Sequence, residues 1–172
     1  MNIPNQVPQQ SGSLDAESSS VQSYLNILQN IISRMAGNSA NCKTWCITLV
    51  SGILVIIADK GKPNYAWIAL IPIILFFFLD AYYLGQERAF RASFNDFVRR
   101  MHAGTAGATD LFLVAPLKGF NVVTCTLQAT LSFAIYPFYL TLIGMIGLAR
   151  FFILWMLVFK GQLIHTSRQL LF

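Results

Sequence analysis

The chain has 172 residues, of which 55% are hydrophobic and only 11% are charged, and its formal net charge is +5. Soluble domains carry roughly 25% charged residues. This composition, with a mean hydropathy of +0.57, excludes an ordinary soluble domain and predicts a membrane protein. In such a chain the basic excess bears on which flanks stay in the cytoplasm, and we expect no direct contact with nucleic acid.

Residues 1–20 are polar and rich in Pro, Ser and Gln, without the apolar core of a signal peptide, so we expect a disordered tail. Apolar residues at helical spacing then predict an amphipathic helix over Val21–Met35, with an N-cap among Ser18–Ser20 and a stop at Gly37-Asn38. Its polar face carries only Arg34 as a charge. Packing against protein, including an oligomer interface, is therefore favoured over a helix lying on the membrane surface.

Two apolar stretches follow, Ala40–Ala58 and Tyr65–Leu84, separated by the polar turn Asp59–Asn64. At 1.5 Å per residue each is long enough for a hydrocarbon core of roughly 30 Å. The short turn allows only an antiparallel transmembrane hairpin. Basic residues concentrate before the first stretch and after the second, which places the N-terminus and the segment after Leu84 in the cytoplasm.

The helical pattern continues beyond the second stretch. One face of this segment carries residues spaced alternately four and three apart, as in a heptad repeat: Tyr83, Glu87, Phe90, Phe94, Phe97 and Met101. No Pro interrupts, so we expect one long helix that leaves the membrane and ends near His102, with Glu87–Arg91 and Asp96–Arg100 pairs on its surface. The two amphipathic segments offer apolar faces that a lone hairpin would not cover. A Gly/Ala/Thr-rich linker is predicted over 106–119.

The C-terminal region, residues 120–172, is apolar from Phe120 to Phe159 apart from Arg150. One interpretation is a single third span, Leu127–Leu148, followed by a helix over Phe151–His165. The other is two short spans that meet near Tyr136–Tyr139. We favour three spans, because a hairpin without a polar turn would leave bare backbone in lipid. The predicted fold class is thus an all-α membrane protein: a transmembrane hairpin, one or two further spans and cytoplasmic amphipathic helices.

The sequence carries no recognisable catalytic set, so we predict no enzyme, no cofactor and no metal site. His102 and His165 lack partners at a familiar spacing. Cys42 and Cys46 share a helix face, and we expect them to be reduced packing residues.

Two charges inside apolar stretches are candidate functional residues. Asp80 lies about one turn inside the cytoplasmic end of the second span, where the favoured interpretation is an ion pair with a neighbour such as Lys43. The alternative is that Asp80 faces a water-filled path between subunits. Arg150 is expected to reach an interface with its long side chain.

The stretch RMAGNSANCKTWCITLVSGIL, followed after a short turn by FFFLDAYYLGQERAFR, resembles the SLATT membrane proteins, small bacterial effectors with two or three spans. The matching positions are Arg34, Met35, Asn38, Ser39, Lys43, Trp45, Leu79, Asp80, Tyr82, Tyr83, Leu84, Glu87, Arg88, Phe90 and Arg91. The resemblance covers 34–91 well and the third span loosely, and the extension after Arg150 has no counterpart in the family pattern.

This resemblance implies an oligomeric effector of an anti-phage or conflict system in the bacterial inner membrane. On a trigger from a cytosolic sensor or nuclease partner, it would form a pore or disrupt the bilayer and end the cell. The candidate pore and assembly residues are Asp80, Lys43, Glu87, Arg88, Arg91 and Arg150. The alternative hypotheses are a non-conducting regulatory subunit that docks a cytosolic partner, and a housekeeping ion-conducting homo-oligomer.

Overall fold

The structure of the protein, a computed structural model, describes residues 14–115 and 122–169. Within these ranges it contains helices and no strand. The helices are α1 (Ser19–Lys60), α2 (Leu70–His102), α3 (Val122–Thr130) and α4 (Tyr136–Gln169), with 3₁₀ turns at Pro63–Ala69 and Ala108–Asp110. Three of the described helices are long and apolar enough to cross a membrane, which confirms the all-α, membrane-compatible class. Most of the predicted N-terminal tail, residues 1–13, lies outside the described ranges.

Helix α1 is a single helix of 42 residues. Ser18 caps it as predicted, because its hydroxyl accepts a hydrogen bond from the Val21 N–H at 3.3 Å. At the other end Gly61 adopts φ 60°, a left-handed conformation that glycine adopts readily. The predicted stop at Gly37-Asn38 is wrong. A helical glycine costs only about 1 kcal/mol, and the packing of α1 against α2 on both sides of this point outweighs that cost.

Helix α2 begins at Leu70, after the 3₁₀ turn, and continues past Asp80 to His102 without a break. The predicted passage of one helix from the apolar stretch into the polar segment is therefore confirmed. Its start is later than predicted, because Tyr65–Ala69 belong to the 3₁₀ turn.

The two amphipathic segments pack against each other. Val21, Tyr24 and Leu28 of α1 are buried together with Phe97 of α2, and the Tyr24 and Phe97 rings meet edge to face at 4.8 Å. The partly buried neighbours include Phe90, Phe94 and Met101. Packing against protein is thus correct for the first segment. The expectation that a lone hairpin would leave both apolar faces uncovered is wrong, since each face covers the other.

The chain after α2 forms a closed turn. Asp110 accepts a hydrogen bond from the Gly107 N–H at 3.0 Å and pairs with Arg100 at 2.9 Å. The hydroxyl of Tyr24 donates to the Leu113 carbonyl at 2.9 Å, which holds the following residues over the α1–α2 contact. The described part of the predicted linker is therefore tied to the hairpin; residues 116–119 lie outside the described ranges.

The C-terminal region breaks just before Tyr136, close to the junction of the two-span alternative, so the favoured continuous span Leu127–Leu148 is wrong. The nine residues of α3 are too few for a span, and the number of candidate spans in the described residues stays at three. Helix α3 ends at Thr130, five residues form a turn, and α4 starts at Tyr136 and passes Arg150 without ending at Leu148. The Ser132 carbonyl closes this turn by accepting the Ile135 N–H at 2.9 Å. Pro137 stands in the first turn of α4, where its missing N–H costs nothing.

Candidate functional site

Asp80 of α2 is fully buried and forms an ion pair with Lys43 of α1, with 2.6 Å between Asp80 Oδ2 and Lys43 Nζ. The Lys43 side chain keeps 24% of its surface exposed, so its stem enters from the edge of the helix pair. This is the pairing favoured by the sequence. It exists because Asp80 and Lys43 lie on the facing sides of two antiparallel helices.

Ser39 completes the pair from one turn earlier on α1. Its hydroxyl donates to the second carboxylate oxygen of Asp80, and the Lys43 ammonium donates to the same hydroxyl at 3.3 Å. Residues four apart share a helix face, so the i, i+4 spacing of Ser39 and Lys43 brings both to one carboxylate. Both oxygens of Asp80 therefore meet a polar partner on α1.

A third helix covers this cluster. Tyr139 of α4 is 2% exposed, and its hydroxyl donates to the Phe76 carbonyl, one turn before Asp80, at 3.0 Å. This bond places the Tyr139 hydroxyl at the level of the Asp80 carboxylate along α2. We call Ser39, Lys43, Asp80 and Tyr139 the polar cluster. It joins α1, α2 and α4 at one level of the bundle.

The surroundings of the polar cluster are apolar. Cys46 is fully buried, with its sulfur 4.0 Å from the Pro72 carbonyl, and Cys42 is nearly as buried. Both are free thiols, consistent with packing residues. Removing one member of a buried ion pair strands the other charge and costs about 3–5 kcal/mol. The cluster therefore holds the three helices in one arrangement.

Glu87 and Arg91 form the predicted pair on α2, at 2.6 Å, and the Arg91 side chain is 60% exposed. A pair this exposed contributes about 0–1 kcal/mol. Arg88, one residue on, instead donates to the Ser132 hydroxyl at 2.6 Å, which ties α2 to the turn before α4. These three residues lie outside the polar cluster.

Arg150 lies near the middle of α4, beside the 3₁₀ turn of the hairpin. Its guanidinium stacks over the Trp67 ring at 5.1 Å from the centroid and reaches Asn64 Oδ1 at 3.5 Å. The six candidate residues thus occupy three places: Asp80 and Lys43 in the cluster, Glu87, Arg88 and Arg91 beyond it, and Arg150 at the opposite end. In the part of the chain that the structure describes, no group of His, Cys, Asp and Glu could hold a metal ion.

The sequence reasoning missed Ser39 and Tyr139 as partners of Asp80. A signal existed for Ser39, because it stands four residues before Lys43 and shares its helix face. Tyr139 carried no such signal, since its position depends on where α4 starts. The chain matches no known family model, and it matches neither a curated protein nor a solved structure. The likeness to SLATT proteins accordingly remains a prediction.

Proposed function

We propose that the protein is an oligomeric effector of the bacterial inner membrane that breaches the bilayer when a partner triggers it, arresting or killing the cell. The carrying observation is the polar cluster: an ion pair enclosed by three apolar helices. Ionisable residues inside membrane segments are costly and mark functional sites. Here Asp80 is fully buried, so the arrangement fits a closed, resting state.

Exposed apolar side chains support the membrane location. In the apolar parts of α1, α2 and α4 they include Val55, Ile71, Phe78, Leu140 and Met156. An apolar patch of this extent on a soluble monomer would mark an interaction site. In lipid it is the expected surface of a bundle. By the positive-inside rule, the N-terminus and the α2 end at His102 would face the cytoplasm.

Release of α4 is the proposed opening step. Tyr139 is the α4 residue that covers Asp80, so a shift of α4 would expose the Asp80–Lys43 pair to a new neighbour or to water. The outer half of α4 offers an apolar surface to other copies of the chain. The role in anti-phage defence, with a cytosolic sensor or nuclease as trigger, comes from the SLATT resemblance alone.

Dye leakage from proteoliposomes tests this proposal. Tyr139→Phe removes the hydroxyl that covers Asp80 while keeping the ring, and we expect higher basal leakage and greater toxicity on expression. Tyr136→Phe is the matched control, since Tyr136 is an exposed tyrosine one turn away on α4. If inserted wild-type protein and both variants never leak under any trigger, the effector proposal is wrong.

A non-conducting docking subunit is the second candidate. The observation that favours it lies at the end of the hairpin that carries the two amphipathic segments. There the apolar faces of α1 and α2 are buried against each other. The polar face of α1 remains exposed, including Gln22, Asn26 and Gln29. A polar, rigid surface suits a soluble partner. Purified protein that carries no current in planar bilayers yet retains one defined cytosolic partner would support this candidate over the first.

A further inference from the structure

An apolar groove runs between α2 and α4 on the outside of the bundle. It has a volume of about 400 Å³, and its lining includes Ile73, Phe77, Tyr136, Leu140 and Ile143. Leu140 is 64% exposed, so the groove opens sideways onto the apolar surface of the two helices. In a membrane-embedded protein this opening faces the acyl chains of the bilayer.

The length and lining of the groove bear on its occupant. Along α4 it extends from Tyr136 to Ile143, about 10 Å at 1.5 Å per residue. An extended hydrocarbon chain fits a groove of this length and apolar lining. The cation at one end of the groove favours a lipid over the apolar helix of a second copy.

A cation stands at one end of the groove. The Arg88 guanidinium donates to the Ser132 hydroxyl at 2.6 Å, and the Ser132 carbonyl accepts the N–H of Tyr136, a lining residue, at 3.2 Å. Among the described residues no carboxylate lies within ion-pair distance of Arg88, whereas Arg91 and Arg99 each have one and Arg100 has two. A guanidinium has five N–H donors, so donors remain for a phosphate.

We propose that this groove binds one acyl chain of an anionic phospholipid and that Arg88 binds its phosphate. The inference rests on the membrane location in the proposed function. It adds that a lipid fills the outer groove beside the direct contact of α4 with α2. Under the proposed orientation Arg88 lies at the cytoplasmic end of the groove, at the depth of the inner-leaflet headgroups.

The test uses full-length protein in phosphatidylcholine nanodiscs with a trace of phosphatidylglycerol carrying a diazirine on its acyl chain. We expect photoadducts at Phe77, Leu140 or Ile143. Unlabelled phosphatidylglycerol should reduce their yield at a roughly tenfold lower concentration than phosphatidylcholine does. This difference is the gain in affinity expected from charge-assisted hydrogen bonds to the phosphate. Arg88→Gln should abolish that headgroup preference but keep the adducts. Arg34→Gln, an exposed arginine elsewhere, should preserve both.

Filling the groove gives the second arm. Leu140→Trp should remove the groove adducts, whereas Leu148→Trp, at an exposed site outside the groove, should leave them. Adducts spread evenly over the lipid-facing surface, or cross-links between two copies at Leu140, would overturn the proposal. Leakage assays report separately on the effector function, because a protein that inserts and leaks without groove labelling refutes the lipid site alone.

Discussion

The α1–α2 hairpin and helix α4 use the same kinds of apolar residue in opposite ways. The hairpin has a cluster of buried apolar residues at each end. Val21, Leu28 and Phe97 belong to one cluster, and Cys46, Val50 and Ile73 belong to the other. In α4 only 11% of the apolar stretch is buried, against 33% in the stretch that includes α2. The hairpin therefore has the contacts to hold its own shape, while α4 is held at a few points and has a large surface left for lipid or other copies.

The largest expected effect comes from breaking the ion pair inside the hairpin, beside which Tyr139 of α4 is buried. Asp80→Asn leaves Lys43 without its counter-charge, and we expect a loss of about 3–5 kcal/mol in the free energy of unfolding, near the lower value because Lys43 is partly exposed. Asp80→Asn with Lys43→Met should recover much of it. Unfolding by sodium dodecyl sulfate measures this, with Asp59→Asn, an exposed aspartate, as control. Equal losses in the single and double variants would contradict the pairing.

A matched pair of leucines compares the two regions directly. Leu28 of α1 is fully buried and Leu148 of α4 is 56% exposed. We expect Leu28→Ala to cost about 2–5 kcal/mol through the cavity that it leaves, and Leu148→Ala less than about 0.5 kcal/mol. The same unfolding titration, on protein too dilute to associate, gives both values. A large loss in Leu148→Ala would mean that α4 has a partner in the folded protein.

Gly85 is the point where α3 crosses α2. A Cβ at this position would lie 3.2 Å from the Thr126 backbone nitrogen and 3.3 Å from its Cα. Since a backbone moves less readily than a side-chain tip, Gly85→Ala should destabilise the protein by about 1–3 kcal/mol. Gly52→Ala in α1 meets nothing within 4 Å and should stabilise it by about 0.5–1 kcal/mol. Thermal unfolding of both variants shows whether the two changes in stability have opposite signs. Changes of the same sign would argue against this close contact of α3 with α2.

The smallest expected effect is a pH dependence of the stability that the turn after α2 contributes to the folded protein. The Gly107 N–H, and then the Arg100 guanidinium, hold the pKa of Asp110 below its ordinary value of 3.8. The folded protein therefore gains stability above that pH and loses it as the pH falls through the lowered pKa. Asp110→Asn should flatten this acid loss in the melting temperature, with Asp59→Asn as control. An unchanged acid profile in Asp110→Asn would show that the turn contributes nothing.

What the sequence predicted follows from local rules. The continuation of α2 past Asp80 depended on helical spacing without Pro, and the pairs of Glu87 with Arg91 and of Asp96 with Arg100 depended on the i, i+4 geometry. The Lys43–Asp80 pair was within reach because a short turn fixes two antiparallel helices at nearly the same depth. Each inference needed only neighbours along the chain or across one hairpin.

What the sequence did not predict depends on tertiary packing. Gly37 looked like a stop, yet the contacts of α1 on both sides of it carry the helix through. A break near Tyr136 was one of two alternatives, and the favoured continuous span was wrong because no polar run in the sequence marks the turn that the Ser132 carbonyl closes. Without that boundary the direction in which α4 presents Tyr139 was undefined. The position of Tyr139 beside Asp80 could therefore not be predicted from the sequence.

The unbroken length of α1 has a mechanical consequence. Its 42 residues make a rod of roughly 63 Å at 1.5 Å per residue, about twice the thickness of a bilayer core. Ser39 lies near its middle, about 30 Å from Ser19. A tilt of 10° about Ser39 would displace the Ser19 end by about 5 Å. Helix α1 is therefore long enough to connect its Ser19 end, which packs against Phe97 of α2, with the Ser39–Asp80 contact at its middle.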